Sequence, residues 1–524
     1  MDSATSQSST DAAYDVPVIA PNNAGSDTLQ QETNETEFVG DKLVAGVSLM
    51  LVLTVVQRAV GFLRNVLVCR LMEPADLGLW NLAETTLFLA APLLVLGIPG
   101  SINRYVEHYR QKGQLRAFLT RISSLTVLLM AIGIVFMAWN HDWVRRVAFG
   151  NTDYPNFVAI CLATLSIVIV YNFFVELLVS LRQVKTVSYV NFANSLIFGI
   201  VAVALLSLTN LKAAGVVIAY GVACVTTVTM AAFKMRPAWR MIGSSDKPLP
   251  HRQLWARVLP FAGWLCISDF LDNTFVAVDR YMIIHFSSFD EHAAIELVGQ
   301  YHCSRILGVL LVSVASMLAT VILPYMTHDW ERQRRRAVSS KLNFGIKSVG
   351  LVMMVASMAV IILGPIIFDW LLDGKYAAGF GVLPCTMTYC IWFGLVILAQ
   401  PYLFCAEKTA LRASSIAVGM FVNISLNALL LPSFGLRGAV WATSLANLVT
   451  LLVVLYFCRK QGMTITPGMW VVIALPLCLL LPTVWMIVGS LAVAGIAYAN
   501  GWLFTRWERR QIAHSLAGLR AKFA

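Results

Sequence analysis

Charge is scarce in this chain. Asp, Glu, Lys and Arg together make up 13% of its 524 residues, about half of the roughly 25% usual in soluble domains. That shortage excludes a water-soluble globular protein of this length. Metal-ligand spacing is missing as well. The 10 cysteines lie within or against apolar runs and the histidines are scattered, so neither a zinc site nor a disulfide framework is expected. No Gly-rich phosphate loop interrupts the runs, which excludes ATP hydrolysis within this chain. No cofactor and no metal are expected.

Hydrophobic residues are abundant, at 58%. From Leu43 to Thr505, apolar runs of about 17–25 residues follow one another, the length that crosses ~30 Å of hydrocarbon. The expected fold class is an all-α polytopic membrane protein with about fourteen transmembrane helices. Their expected spans are 43–66, 78–99, 118–138, 156–179, 187–208, 213–234, 258–283, 298–323, 345–369, 380–403, 412–431, 437–457, 468–484 and 488–505. The last two are crowded, with Pro482 and Trp485 at the expected bend; one re-entrant segment is the alternative.

The net charge of +11 would suggest nucleic acid in a soluble protein. Here the basic residues sit in alternate short loops, and the positive-inside rule explains them without that partner. Arg104, Arg110, Arg116 and Arg121 follow the second span; Arg236, Arg240, Arg252 and Arg257 follow the sixth; Arg332, Arg334, Arg335 and Arg336 follow the eighth. The loops between them are poorer. Every even loop and both termini are therefore expected on the cytoplasmic side of a bacterial inner membrane.

The expected domains are an acidic disordered tail at 1–38, a six-helix bundle at 39–236 and a basic linker at 237–257. A second six-helix bundle at 258–460, two additional helices at 461–505 and a basic amphipathic tail at 506–524 follow. An internal repeat supports the two bundles. Leu77-Gly78-Leu79-Trp80 opens the second span and Val298-Gly299-Gln300-Tyr301 the eighth, and each span ends at a proline, Pro99 or Pro324. Leu211-Lys212-Ala213-Ala214-Gly215 opens the sixth span and Leu436-Arg437-Gly438-Ala439 the twelfth. Six is even, so the copies share one orientation and face each other across a central cleft, related by an axis along the membrane normal.

These stretches, with Leu71 to Trp80, Val278-Asp279-Arg280-Tyr281, Leu371-Leu372-Asp373-Gly374-Lys375-Tyr376 and Leu430 to Ala439, resemble a known family. The resemblance is to polysaccharide flippases of the multidrug/oligosaccharidyl-lipid/polysaccharide exporter superfamily. It covers about residues 40–460, and the order of the motifs carries it. It implies two six-helix lobes, two extra C-terminal helices, and passage of polyprenyl-diphosphate-linked O-antigen, exopolysaccharide or capsule units from the cytoplasmic to the periplasmic leaflet. The implied partners are that lipid-linked oligosaccharide, membrane lipids, and a polysaccharide polymerase or other export component.

Charged residues inside spans mark the candidate site, because each is expensive in lipid. Gln57, Gly61 and Arg64 share one helix face, with Arg58 and Asn65 beside it. Arg58, Arg64 and, on the eighth span, Arg305 are the candidate diphosphate ligands, since guanidinium forks match phosphate oxygens. Structural ion pairs or snorkelling to the interface are the competing account. Asp269, Asp272 and Glu84 are candidates to balance those cations or couple an ion. Asn273 and Arg280 are further polar residues expected at the cleft, although Arg280 could equally mark the outer edge of its span. Glu84 and Arg305 stand six residues after Gly78 and Gly299, at equivalent repeat positions.

Three functions compete. A lipid-linked oligosaccharide flippase fits the arginines. A drug/cation antiporter of the same superfamily would favour acidic residues in the cleft. A membrane glycan polymerase needs a long exported loop with clustered catalytic groups, and the exported loops here are only about fifteen to twenty residues long. The expected protein is a transporter and not an enzyme.

Overall fold

In lipid, a backbone must satisfy its own hydrogen bonds, and an open segment does so only as a helix. Every regular element among the described residues is accordingly helical. The structure is a computed structural model that describes residues 53–150, 156–241, 249–504 and Glu508. The acidic tail at 1–38, part of the basic linker and all of the amphipathic tail at 506–524 except Glu508 lie outside the described residues.

The first half comprises α1 (53–71), α2 (Pro74–Leu94), α3 (Ser101–Gln111), α4 (Leu115–Trp139), α5 (His141–Phe149), α6 (Phe157–Ser180), α7 (Val184–Leu208) and α8 (Lys212–Met241). The second comprises α9 (His251–Phe286), α10 (Glu291–Glu331), α11 (Arg335–Pro365), the short α12 (Ala377–Gly381), α13 (Leu383–Cys405) and α14 (Thr409–Lys460). α15 (Pro467–Ala474) and α16 (Thr483–Ala499) close the chain.

Ten helices among the described residues are long and apolar enough to cross a membrane, and two shorter apolar pieces follow them. α14 spans two expected crossings in 52 residues. It is two helical arms joined by a reversal at Gly435, whose φ of 53° and ψ of −132° lie outside any helix, at the expected loop; Asn423 of the first arm reaches Thr443 of the second at 3.5 Å. The last two pieces, Pro467–Leu480 and Thr483–Ala499, meet at the expected Pro482 bend but lie several residues earlier than expected. α3 and α5 are short helices in what reads as loop. α3 buries Tyr105, Val106 and Tyr109 against its neighbours while Asn103 and Arg104 stay exposed.

Burial separates lipid-facing from interior helices. α4 exposes Val127, Leu128, Ile132, Val135 and Phe136, a contiguous apolar face of the kind that water would not tolerate. α13 buries most of its length, from Leu383 to Cys405, within the second half. Lys347 of α11 is fully buried and pairs with Glu508 at 2.7 Å, so Glu508 is held against α11.

The two halves meet along α2, which lies between α9 and α10. At the end of the bundle remote from the basic loops, Gly78 and Gly299 cross. A Cβ on Gly78 would overlap the Ile295 carbonyl, and one on Gly299 would overlap the Pro74 carbonyl. Each carbonyl belongs to the residue four positions before the opposite glycine, so the contact is reciprocal, as a two-fold relation between the halves requires. Towards the other end Gly97 packs on α9, where a Cβ would lie 2.8 Å from the Ala262 oxygen.

Candidate functional site

Between the halves lies a cavity of about 680 Å³. α1, α2, α6, α7 and α8 form one wall and α9 and α10 the other. The helical face expected on α1 turns inward: Gln57, Arg58, Gly61, Arg64 and Asn65 all line it. Arg280 of α9, His302 and Arg305 of α10, and Glu84 of α2 join them. The same wall carries uncharged polar groups, Asn172, Asn194, Ser195 and Tyr220.

Two of these guanidiniums are held by rings, and none of the four forms an ion pair with a carboxylate among the described residues. Arg64 lies over Phe198 at 4.2 Å and donates to Asn65 Oδ1 at 3.2 Å. Arg305 lies over Tyr301 at 5.1 Å. Such stacking stabilises a cation while leaving its in-plane N–H groups available. Those groups are underused. Arg305 Nε and Nη1 and Arg280 Nε are buried without a hydrogen-bond acceptor among the described residues. A buried donor left unpaired is destabilising by about 1–3 kcal/mol, more when charged, so an acceptor brought to these groups would be stabilising. Glu84 is the one carboxylate named among the lining residues, and it accepts from Asn81 Nδ2 at 3.3 Å.

The acids of α9 lie elsewhere. Asp272 accepts from Arg412 Nη2 at 2.7 Å, and Arg412 Nε also donates to Gln400 at 3.1 Å. Asp272, a candidate to balance the arginines or couple an ion, is engaged with Arg412 within the second half. Neither Asp269 nor Asn273 is among the residues lining the cavity. Nearly two turns beyond Asn273 on this helix the chain buries Asp279, which is 2% exposed. It accepts from Tyr301 at 3.0 Å, Asn427 at 3.1 Å and Thr443 at 2.9 Å, tying α9, α10 and both arms of α14 together. Arg280, its neighbour in sequence, points the other way and lines the cavity, not the outer edge of the span.

Sequence reasoning missed His302, Asn172 and Asn194. His302 carried a readable signal, since it precedes Arg305 by three residues and so shares its helix face. Asn172 and Asn194 carried none, because single amides in α6 and α7 look like ordinary membrane-helix polar residues.

Comparison with known proteins adds the following. A family model described as polysaccharide biosynthesis protein matches residues 43–330. No curated protein sequence matches the chain. Among solved structures, the fold is similar to the lipid II flippase MurJ in an inward closed conformation, with a TM-score of 0.67 and 13% identity over 86% of this chain and 99% of that one. It is also similar to an inward-facing multidrug resistance MATE family transporter of the MOP superfamily, with a TM-score of 0.61 and 13% identity over 77% of this chain and 94% of that one. These likenesses show the fold: all helical, of the kind that flippases and drug exporters share.

Proposed function

The chain belongs to the polysaccharide biosynthesis protein family, and from that premise we propose that it flips a polyprenyl-diphosphate-linked oligosaccharide between membrane leaflets. The unit carried is an O-antigen, exopolysaccharide or capsule repeat, moved from the cytoplasmic to the periplasmic face of a bacterial inner membrane. In this reading residues 39–236 and 258–460 are the two moving lobes and both termini are cytoplasmic.

One observation carries the proposal. Arg58, Arg64, Arg280 and Arg305 line one cavity, and buried N–H groups of Arg280 and Arg305 have no acceptor among the described residues. A diphosphate supplies the missing oxygens in the bidentate geometry that arginine favours. Glu84, bonded to Asn81, balances part of the positive charge across the cavity without pairing with a guanidinium, and phosphate arrival adds charge-assisted hydrogen bonds to the arginines. The sugars then lie against the amides of Asn172 and Asn194. An organic cation, the cargo of the alternative drug antiporter, would meet four arginines against one carboxylate in this cavity.

The energetics favour outward movement. A diphosphate carries about two negative charges, and moving them down an inside-negative potential of ~100 mV releases roughly 4–5 kcal/mol. The test is reconstitution. Purified protein in liposomes should expose a fluorescent lipid-linked oligosaccharide to an impermeant quencher faster than protein-free liposomes do, and should leave a fluorescent organic cation gradient untouched. Cation movement without lipid flipping would establish the antiporter instead.

A further inference from the structure

Three sequence motifs lie largely outside the cavity wall, with Trp80 the residue of theirs that lines it: Leu71 to Trp80, Val298 to Tyr301, and Leu371 to Tyr376. The structure brings all three together at the end of the bundle remote from the basic loops. There the turn between α11 and α12 crosses from the second half onto the α1–α2 corner of the first. Asp373 (φ 55°) and Gly374 (φ 68°) both take left-handed backbone, which folds the turn tightly. Gln300 of α10 holds it from beneath, donating to the Lys375 carbonyl at 3.0 Å and accepting from Gly379 N at 3.0 Å.

Tyr376 is then fully buried, and its hydroxyl lies 2.8 Å from the Cys69 carbonyl and 3.0 Å from the Met72 carbonyl. Both oxygens belong to the other half, at the end of α1. Lys375 reaches Glu73 at 3.0 Å and Arg70 is 3.7 Å from Asp373. The charged pairs are partly exposed and contribute little. The buried tyrosine is different, because its ring and hydroxyl have partners only while the halves are closed at this end. The Gly78–Gly299 crossing is one residue from Gln300, so turn and crossing must open together.

We propose that residues 373–376, seated on the α1–α2 corner and backed by the Gly78–Gly299 crossing, form the outer latch of the transport cycle. The latch closes the cavity on the periplasmic side and must release before the cargo leaves. This rests on the alternating-access reading above. Tyr376 is the pin and Gln300 positions it.

The test uses the full chain in right-side-out vesicles with one reporter, Val309→Cys, on the cavity wall, and the chain lacking it as blank. An impermeant maleimide added outside reports opening at this end without any substrate. Tyr376→Phe keeps the ring and removes the hydroxyl; it should label about fivefold faster, the shift given by one lost hydrogen bond. Gly78→Ala, which cannot close the crossing, should label faster still. In a chain without the reporter, bridging Glu73→Cys and Lys375→Cys with a reducible bifunctional thiol reagent should stop lipid flipping, and reductant should restore it. Labelling of Tyr376→Phe at the unmodified rate, or unimpaired flipping by the bridged protein, would overturn the latch. Labelling needs no cargo, so it decides the latch even where the unmodified chain flips no lipid-linked sugar, a result that would sink the substrate reading alone.

Discussion

α1 and α9 open the two halves of the molecule, and both carry charge through the membrane, but they dispose of it in opposite ways. On α9, Asp272 takes Arg412 as a partner and Asp279 takes three donors from α10 and α14. On α1, Arg58 and Arg64 face a cavity, and Arg64 is stacked on a ring and bonded to a neighbouring amide. A buried charge with its valences filled holds helices together. The same cavity takes Arg280 from α9 and Arg305 from α10, whose buried N–H groups are unpaired among the described residues, and a buried charge without a partner is costly. The contrast separates scaffold from site within a single bundle, although both helices present ionisable residues at membrane depth.

The largest expected effect tests the open side of that contrast. Arg305→Ala should lower flipping by roughly 30- to 1,000-fold, the range expected for about 2–4 kcal/mol of lost charge-assisted binding. Arg305→Lys should recover part of it, because it keeps the charge and loses the fork. Liposome flipping assays at matched protein amounts measure both.

Asp279→Ala comes next and tests the closed side. It strands Tyr301, Asn427 and Thr443 as buried donors, so it should destabilise by about 3–5 kcal/mol and lower the thermal midpoint in detergent by several degrees. If the midpoint were unchanged, Asp279 would not be scaffold. The smallest effect belongs to the part-exposed Asp272–Arg412 pair. Asp272→Asn should cost about 1 kcal/mol or less and leave flipping within about twofold. A loss as large as that of Arg305→Ala would place Asp272 in the transport machinery and break the comparison.

Much of this was legible beforehand. The all-helical class, the crowded ends of the chain and the repeat followed from apolar run length and from Gly78 and Gly299 standing in matching motifs. The inward face of α1 followed from helical spacing alone. The partners of the acids did not. Asp269 and Asp272 share a stripe with Asp279 and Arg280 on a helical wheel, yet α9 is packed on several sides, and its neighbours decide which residue meets the cavity. Arg412 lies 140 residues from Asp272 in sequence, and no local pattern announces such a pair. Gly435 was legible: the loop expected between two spans is where the chain reverses, with Asn423 of one arm reaching Thr443 of the other at 3.5 Å.

The most direct test of the cationic cavity is the double substitution Arg58→Ala/Arg64→Ala, compared with the unmodified chain in proteoliposomes carrying a fluorescent polyprenyl-diphosphate oligosaccharide. The account predicts normal insertion and a thermal midpoint within a few degrees of the parent's, because Arg64 loses only a ring contact and a hydrogen bond to the neighbouring Asn65, together with loss of flipping to near the protein-free rate. Flipping at the unmodified rate by the double variant would contradict it, and the arginines would then be structural residues beside a site of another kind.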